Sequence, residues 1–298
     1  MPLAAFVINR TLVRDLRGFE RRCRAAARAH GWETVLAETG PDDAGLGPAR
    51  QAAAAGASLV FAAGGDGTVR ACAQALAGTG IPLAIVPLGT ANLTARALRV
   101  PARAGPAIDV GFRGRDRVID LACAEGLGTS RGIGFTAMAG IGLDAAVVGA
   151  AVPAAKRRLG WVAYAASGVA HLALPAGEFT VRLDGGEPLR RRARCVVVGN
   201  AGLLPGGFVL LPEARLDDGR LDVGILAPSG VLGWPRAAIR VLARSRRQDR
   251  MLERFQARRV EIGAAVDLPR QVDGELVAPG RTLAVSVWPA ALTVRGCS

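Results

Sequence analysis

The run Gly64-Gly65-Asp66-Gly67-Thr68 follows the apolar stretch Leu59–Ala62 almost directly and leads into a helix-like segment, Val69–Ala77. An apolar strand, a turn whose glycines carry no Cβ and a helix start describe one strand–loop–helix unit. The unit repeats at once. Ile81–Val86 reads as a strand, Pro87-Leu88-Gly89-Thr90 as a loop and Ala91–Leu98 as a helix. Upstream, residues 4–8 read as a strand. Leu12, Leu16, Phe19, Cys23 and Ala26 recur at helical spacing, which predicts an amphipathic helix over 12–30 ended by Gly31. Glu33–Ala37 reads as a strand, Arg50–Ala55 as a helix stopped by Gly56, and Gly78 as the C-cap of the helix after the first loop. Strands alternating with helices imply a parallel sheet with right-handed crossovers. Ligands of such sheets bind beyond the carboxyl ends of the strands, where both glycine loops fall.

After about residue 100 the pattern changes to short β-like runs. These are Val118–Ala122, Phe135–Met138, Phe179–Leu183, Cys195–Val198, Leu221–Leu226, Val260–Ile262 and Leu283–Val287. Asp184-Gly185 and Asp273-Gly274 are hairpin-turn signals. Helices are expected only at Asp144–Ala151, Lys156–Leu174 and Val231–Arg246. The change predicts a second, mostly β domain.

Composition narrows the function. A chain of 298 residues, half of them hydrophobic, has material for two cores. The net charge of +13 is carried almost wholly by arginine, and Lys156 is the sole lysine. A Walker A loop, which needs Gly-Lys-Ser/Thr, is therefore excluded. The basic charge fits anionic partners and a merely solvated surface about equally. The arginines look dispersed and no aromatics interleave them, which argues against a nucleic-acid binder. Cys23, Cys72, Cys123, Cys195 and Cys297 form no Cys-x-x-Cys pair and read as reduced thiols of a cytoplasmic protein. Asn9, Arg10 and Arg14 interrupt any early apolar run, so no secretory signal is expected. Leu159–Gly177 carries no formal charge and is about long enough to span a bilayer. Its Ala and Gly content, with Ser167, His171 and Pro175, favours a buried helix.

Gly64, Gly65 and Gly67 let backbone approach a phosphate, and the helix start behind them favours an anion. Thr68 caps that helix or donates to phosphate. Asp66 would repel phosphate unless Mg²⁺ stands between them; the plainer reading is an N-cap at a tight turn. Taken alone, Glu275 is an exposed charge beside a hairpin, Asp218 a turn residue and Asp144 a helix N-cap. His30 and His171 have no carboxylate or cysteine partner nearby in sequence and receive no role.

The loop Gly64–Thr68 resembles one shared by diacylglycerol, sphingosine and NAD kinases and phosphofructokinases. Further segments are similar to the bacterial diacylglycerol-kinase catalytic family in particular. These are Pro87-Leu88-Gly89-Thr90-Ala91-Asn92, Gly140-Ile141-Gly142-Leu143-Asp144-Ala145, and Gly199-Asn200 with Gly206-Gly207 and Pro212-Glu213-Ala214. Leu216-Asp217-Asp218-Gly219-Arg220-Leu221-Asp222 and Val272-Asp273-Gly274-Glu275 complete an ordered set across nearly the whole chain.

The resemblance implies an α/β fold. An N-terminal doubly wound parallel α/β domain would occupy residues 1–122, with the tail 286–298 packing back onto it. A mostly β sandwich domain for the lipid would occupy 123–285, with ATP between the two. Asp66 would serve the ATP–Mg²⁺ site together with Gly64, Gly65, Gly67 and Thr68. Asn9, Thr39 and Thr90 would line the nucleotide pocket. Glu275 would accept the proton of a lipid hydroxyl, and Asp144 and Asn92 would face the acceptor. Asp218, with the carbonyls of Arg215 and Arg220, would hold Mg²⁺. Two departures stand out: Leu93 follows Asn92 where many members carry Asp, which bears on the acceptor, and Arg10 follows Asn9 where many carry Pro.

The implied activity is transfer of the ATP γ-phosphoryl to a membrane lipid, with diacylglycerol the default acceptor. A sphingoid-base kinase, an NAD kinase-like enzyme and a non-catalytic lipid- or nucleotide-binding member are the alternatives. Peripheral contact with an anionic inner membrane face is expected, and a homodimer is compatible with the sequence. Arg236, Arg240 and Arg244, followed by Arg246 and Arg247, are one basic candidate for that contact, opposite Leu232, Ile239 and Leu242.

Overall fold

The computed structural model describes residues 1–127, 132–142, 176–203, 209–228, 251–296, Gly233 and Ile239. The helices expected at Asp144–Ala151, Lys156–Leu174 and Val231–Arg246 lie outside these residues, apart from Gly233 and Ile239. So do Asp144, Cys297, the arginines from 236 to 247, and all but the end of the apolar stretch 159–177. No described helix is long and apolar enough to cross a membrane. The chain divides into two compact units, Met1–Leu121 with Ala290–Ser298, and Ala122–Pro289.

The first unit is built on β1 (Leu3–Ile8), β2 (Glu33–Glu38), β3 (Leu59–Gly64) and β4 (Leu83–Pro87). The last residues of the long strand β14 (Glu275–Gly296) join them. The order is β14-β4-β3-β1-β2, and the paired registers are parallel throughout. β3 and β4 are buried along their whole length, whereas the edge strand β2 is buried nowhere. Apolar runs without alternation suit strands covered on both faces. The helices are α1 (Leu16–Ala29), α2 (Leu46–Ala54), α3 (Asp66–Leu76), α4 (Leu93–Ala97) and α5 (Ala104–Arg113). α1 packs with α5 and α2 with α3, as a doubly wound sheet requires.

Local side chains move several boundaries. α1 begins at Leu16 because Asp15 caps it by accepting from Gly18 N at 2.9 Å, while Arg10–Leu12 form a separate 3-10 turn. α2 starts before the expected Arg50, behind an Asp43 carboxylate that accepts from Gly45 N and Gly47 N, both at 2.8 Å. α3 starts at Asp66, so the end of the glycine loop is already its first turn. α5 is a helix the sequence reading missed, although Ala107, Ile108, Gly111 and Phe112 are spaced for one buried face. Phe6 stacks on Phe61 at 4.1 Å and Phe112 lies 4.9 Å from Phe61. A Cβ on Gly111 would run into the Phe61 ring. His30 also gains partners that sequence distance hid: it stacks on Phe112 and lies 3.9 Å from Asp109.

The second unit holds the end of β5 (Arg115–Glu125) and β6 (Ile133–Phe135), β7 (Met138–Gly142), β8 (Gly177–Leu183) and β9 (Leu189–Ala193). It continues with β10 (Cys195–Gly199), β11 (Leu221–Leu226), β12 (Leu252–Ala257), β13 (Arg259–Val272) and the start of β14. The run expected at Phe135–Met138 is two strands broken at Thr136-Ala137, and β9 and β12 were not foreseen. β13 makes the sandwich. Its first half pairs with β8, which continues to β9; its second half pairs with β7, which continues through β10 and β11 to β12. The register against β14 shifts between Gly263 and Leu268 and again before Arg270. Such bulges bend a strand from one layer into the next. The buried Arg270 holds the bend, donating to the carbonyls of Ala278 at 2.8 Å, Thr282 at 2.6 Å, Gly126 at 3.2 Å and Pro279 at 3.4 Å. Gly280 lies under that guanidinium, where a Cβ would approach its carbon to 2.8 Å. Both Asp-Gly signals form two-residue turns with positive φ at both centres: Asp184 +50° and Gly185 +73°, Asp273 +47° and Gly274 +77°.

The described cysteines, Cys23, Cys72, Cys123 and Cys195, are free and buried, and burial pushes the Cys72 thiol up to about 12.

Candidate functional site

In a parallel sheet every carboxyl end points the same way, so the ends of β1, β2, β3 and β4 gather Asn9, Thr39, Gly64–Thr68 and Gly89–Leu93 along one edge. The two glycine loops are bonded to each other. Leu88 N donates to Gly64 O at 2.8 Å, and Leu93 N donates to Asp66 Oδ1 at 2.6 Å. Gly65 and Gly89 then approach so closely that a Cβ on Gly89 would lie 2.7 Å from the Gly65 Cα. Asp66 therefore ties the start of α3 to the start of α4, whatever else its carboxylate does.

Thr68 is a buried residue. It is 2% exposed, lies against Gly64, where a Cβ would come 2.5 Å from its own Cβ, and is 3.4 Å from Asn9 Nδ2. No side-chain cap bond marks the start of α3, and the Thr68 hydroxyl accepts from Asn9. Asn9 Oδ1 accepts from Thr11 N at 3.2 Å and Thr11 Oγ1 at 2.7 Å, fastening the turn after β1. Thr39 is half-buried at the end of β2, its N donating to Ile8 O at 3.0 Å, while Thr90 is exposed on the second loop. Asn92 folds onto its own loop. With φ at +48° it accepts from Gly89 N at 3.1 Å and donates to Gly89 O at 2.7 Å. Leu93, 3% exposed, turns its side chain into the core.

The other candidates lie in the second unit. Glu275 opens β14 directly after the Asp273-Gly274 turn and is exposed. What fixes that turn is Asp273, a residue the sequence reading treated as a turn former only. It is 4% exposed, and its carboxylate accepts from Thr136 N at 3.0 Å, Ala137 N and Met138 N at 2.9 Å each, and Thr136 Oγ1 at 3.3 Å. The strand break at Thr136-Ala137 thus points its amides at one carboxylate. Asn200, fully buried, closes the other side, with its N donating to Ala137 O at 2.8 Å. A Thr-Ala pair breaking an apolar run, read with a distant Asp-Gly turn, was the only signal for this contact in the sequence.

Arg215, Asp218 and Arg220 share the turn before β11. Arg220 N donates to Asp218 Oδ1 at 3.0 Å, Gly219 has φ +68°, and Arg215 Nε reaches Asp217 at 3.4 Å. Among the described residues no three His, Cys, Asp or Glu side chains converge on one point. A metal here would have to draw on backbone carbonyls. Burial pushes the Asp222 carboxyl up to about 6, with a Gln256 hydrogen bond lowering it and Asp218 and Glu213 adding repulsion. Asp144 lies outside the described residues.

Residues 5–124 match the diacylglycerol kinase catalytic domain, and residues 137–296 match the YegS C-terminal NAD kinase beta sandwich-like domain. The chain belongs to the YegS-like lipid kinase family. A probable lipid kinase YegS-like from Pseudomonas fluorescens is 33% identical over 273 residues, covering 90% of this chain and 87% of its own. Its counterpart in Pseudomonas aeruginosa is 35% identical over 283 residues, covering 92% and 88%. Among solved structures, a putative diacylglycerol kinase from Bacillus anthracis str. Sterne superposes with a TM-score of 0.79 at 21% identity, covering 99% of this chain and 97% of its own. An NAD kinase from Archaeoglobus fulgidus in complex with ATP superposes at 0.54 and 12% identity, covering 99% and 93%. Both likenesses show the fold alone.

Proposed function

We propose that this lipid kinase uses ATP and Mg²⁺ to phosphorylate a hydroxyl of a membrane lipid, with diacylglycerol as the acceptor. The observation that carries the reading is the pair of glycine loops bonded to each other beyond β3 and β4, with Asp66 between them. Backbone without Cβ and the start of an eleven-residue helix form a cradle for an anion. Residues 1–122 with the tail 286–298 take the nucleotide, and 123–285 take the lipid.

Phosphoryl transfer needs positioning and charge neutralisation more than covalent chemistry. Gly64, Gly65 and Gly67 offer backbone to the phosphates, and Asn9, Thr39 and Thr90 lie at neighbouring strand ends to border the nucleotide. Mg²⁺, when bound, would neutralise phosphate charge; Asp66 would be the carboxylate for the nucleotide-linked ion, and Asp218 with the Arg215 and Arg220 carbonyls would hold a second, structural one. Glu275 takes the proton of the acceptor hydroxyl as its oxygen forms the new P–O bond and ADP leaves with the electrons of the broken one. Asp144 and Asn92 border the acceptor. With Leu93 buried, that position supplies no carboxylate to the acceptor. The protein works in the cytoplasm at the inner membrane face.

The test is to incubate the protein with γ-labelled ATP, Mg²⁺ and a total lipid extract, with NAD in a parallel reaction. Labelled phosphatidic acid is expected. Label in another lipid replaces the acceptor only, and label in NADP alone overturns the reading.

A further inference from the structure

The outward face of α1 carries a line of arginines. Arg14, Arg17, Arg21, Arg24 and Arg28 are all exposed and spaced three, four, three and four residues apart. Arg14 precedes the Asp15 cap; the other four lie on the helix and, at 3.6 residues per turn, fall within an arc of roughly 60° and span roughly 17 Å. Phe19, Cys23 and Ala27, on the opposite side, are the buried contacts of the helix. The acidic residues of this segment, Asp15 and Glu20, project from its flanks, and Asp15 is engaged as the N-cap. The elements packed against α1 are β2 and α5. Of their carboxylates, Asp109 lies beside His30, Glu38, at the end of β2, pairs with Arg10, and Glu33, at its start, is exposed. None of the five guanidinium groups makes an ion pair or hydrogen bond with a described residue.

Like charges three and four residues apart oppose each other along a helix. This helix therefore gives up stability to keep the stripe, and an anionic surface would relieve the repulsion. We infer that the Arg17–Arg28 face of α1 docks the protein on an anionic lipid bilayer. Three features favour a bilayer over a nucleic acid. The stripe is straight, so a flat surface meets all its charges at once. Gly18 and Ala25, which border the stripe, offer neither an aromatic ring to stack on a base nor an amide to read one. Leu12, 40% exposed, precedes the stripe and adds an apolar contact that an interfacial layer accepts. The arginines look dispersed in the sequence; helical geometry lines up the four from Arg17 to Arg28.

The inference rests on the lipid kinase reading only for its purpose, because docking is measured without ATP. The full-length protein is sedimented with phosphatidylglycerol/phosphatidylcholine vesicles, and with phosphatidylcholine vesicles alone, from low to high salt. Two variants of equal net charge are compared. One replaces Arg17, Arg21, Arg24 and Arg28 with Gln; the other replaces Arg115, Arg182, Arg190 and Arg192, exposed elsewhere. Each arginine near an anionic surface contributes about one kcal/mol, so the α1 variant should bind anionic vesicles at least tenfold more weakly, with a melting temperature at or above that of wild type. The control should bind like wild type, and salt should release both. Equal losses in the two variants, or wild-type binding to neutral vesicles as tight as to anionic ones, would overturn the inference. So would duplex DNA binding that the α1 variant alone loses while vesicle binding persists. If docking holds and no lipid is labelled in the kinase assay, the kinase reading fails and this one stands.

Discussion

Beyond β3 and β4, two loops are held together by close backbone approach: Gly65 and Gly89 touch because neither has a side chain, and one Asp66 contact closes the join. At the hairpin that carries Glu275 the arrangement is reversed. There a buried side chain, Asp273, gathers three amides and a hydroxyl from a strand break more than a hundred residues away in sequence. On the proposed function, the glycine loops meet phosphate with bare backbone, so their main chain stays open and their rigidity comes from tight approach, while the hairpin that presents Glu275 uses Asp273 as its anchor. Removing a side chain should therefore disturb stability at the hairpin and chemistry at the glycine loops.

The largest expected effect is at the hairpin. Asp273→Ala leaves three buried amides without their acceptor, at roughly 1–3 kcal/mol each, so chemical denaturation should show a loss on the order of 5 kcal/mol. Asp273→Asn keeps one carbonyl oxygen and should recover part of it. A variant as stable as wild type would mean that water replaces the carboxylate, and the contrast between the regions would collapse.

At the glycine loops, Asp66→Ala should lower phosphoryl transfer a hundredfold or more, as loss of one charge-stabilising group commonly does, with a much smaller change in stability. Asp66→Asn separates two parts of that effect. It retains an acceptor for Leu93 N and removes the charge. Full activity in Asp66→Asn would assign Asp66 to joining the loops and would end its Mg²⁺ role.

Glu275→Gln tests the exposed member of the hairpin. Turnover should fall at least tenfold, within the range of lost general base catalysis, while ATP affinity by calorimetry and the melting temperature stay as they were. A collapse of ATP affinity would make Glu275 a nucleotide or structural residue.

The remaining effect is on stability with pH and concerns Asp222. Its carboxyl sits at about 6 in the fold because of burial, against about 4 in an unfolded chain. The native state holds that proton more tightly, so this group's contribution is fully present below pH ~4 and is lost as pH rises through ~6. Two pKa units correspond to on the order of 3 kcal/mol. In EDTA, Asp222→Asn should flatten stability between these pH values and leave the variant more stable at pH 7. An unchanged pH profile would show that Asp222 ionises without penalty.

Much of the first unit was legible from its residues. Apolar runs such as Leu59–Ala62, followed by glycines and a helical pattern, describe strand–loop–helix units through local steric and burial rules, and those rules place both glycine loops at carboxyl strand ends. The two Asp-Gly turns were legible for the same reason: positive φ at consecutive residues is a local demand. The misses share a cause. α5 was hidden by glycines, of which Gly111 is there because Phe61 lies beneath it. β9, Leu-Arg-Arg-Arg-Ala, is a strand because β8 offers it an edge, and β13 bends because Arg270 finds four carbonyls. The sequence by itself determined the alternation of strands and helices, the family motifs and their order. Only the tertiary structure decided that Thr68 turns inward, that Asp66 joins two loops and that Asp273 is buried. Each of those depends on a partner distant in sequence, and burial, which sets the worth of a hydrogen bond or a charge, exists only once the chain has folded.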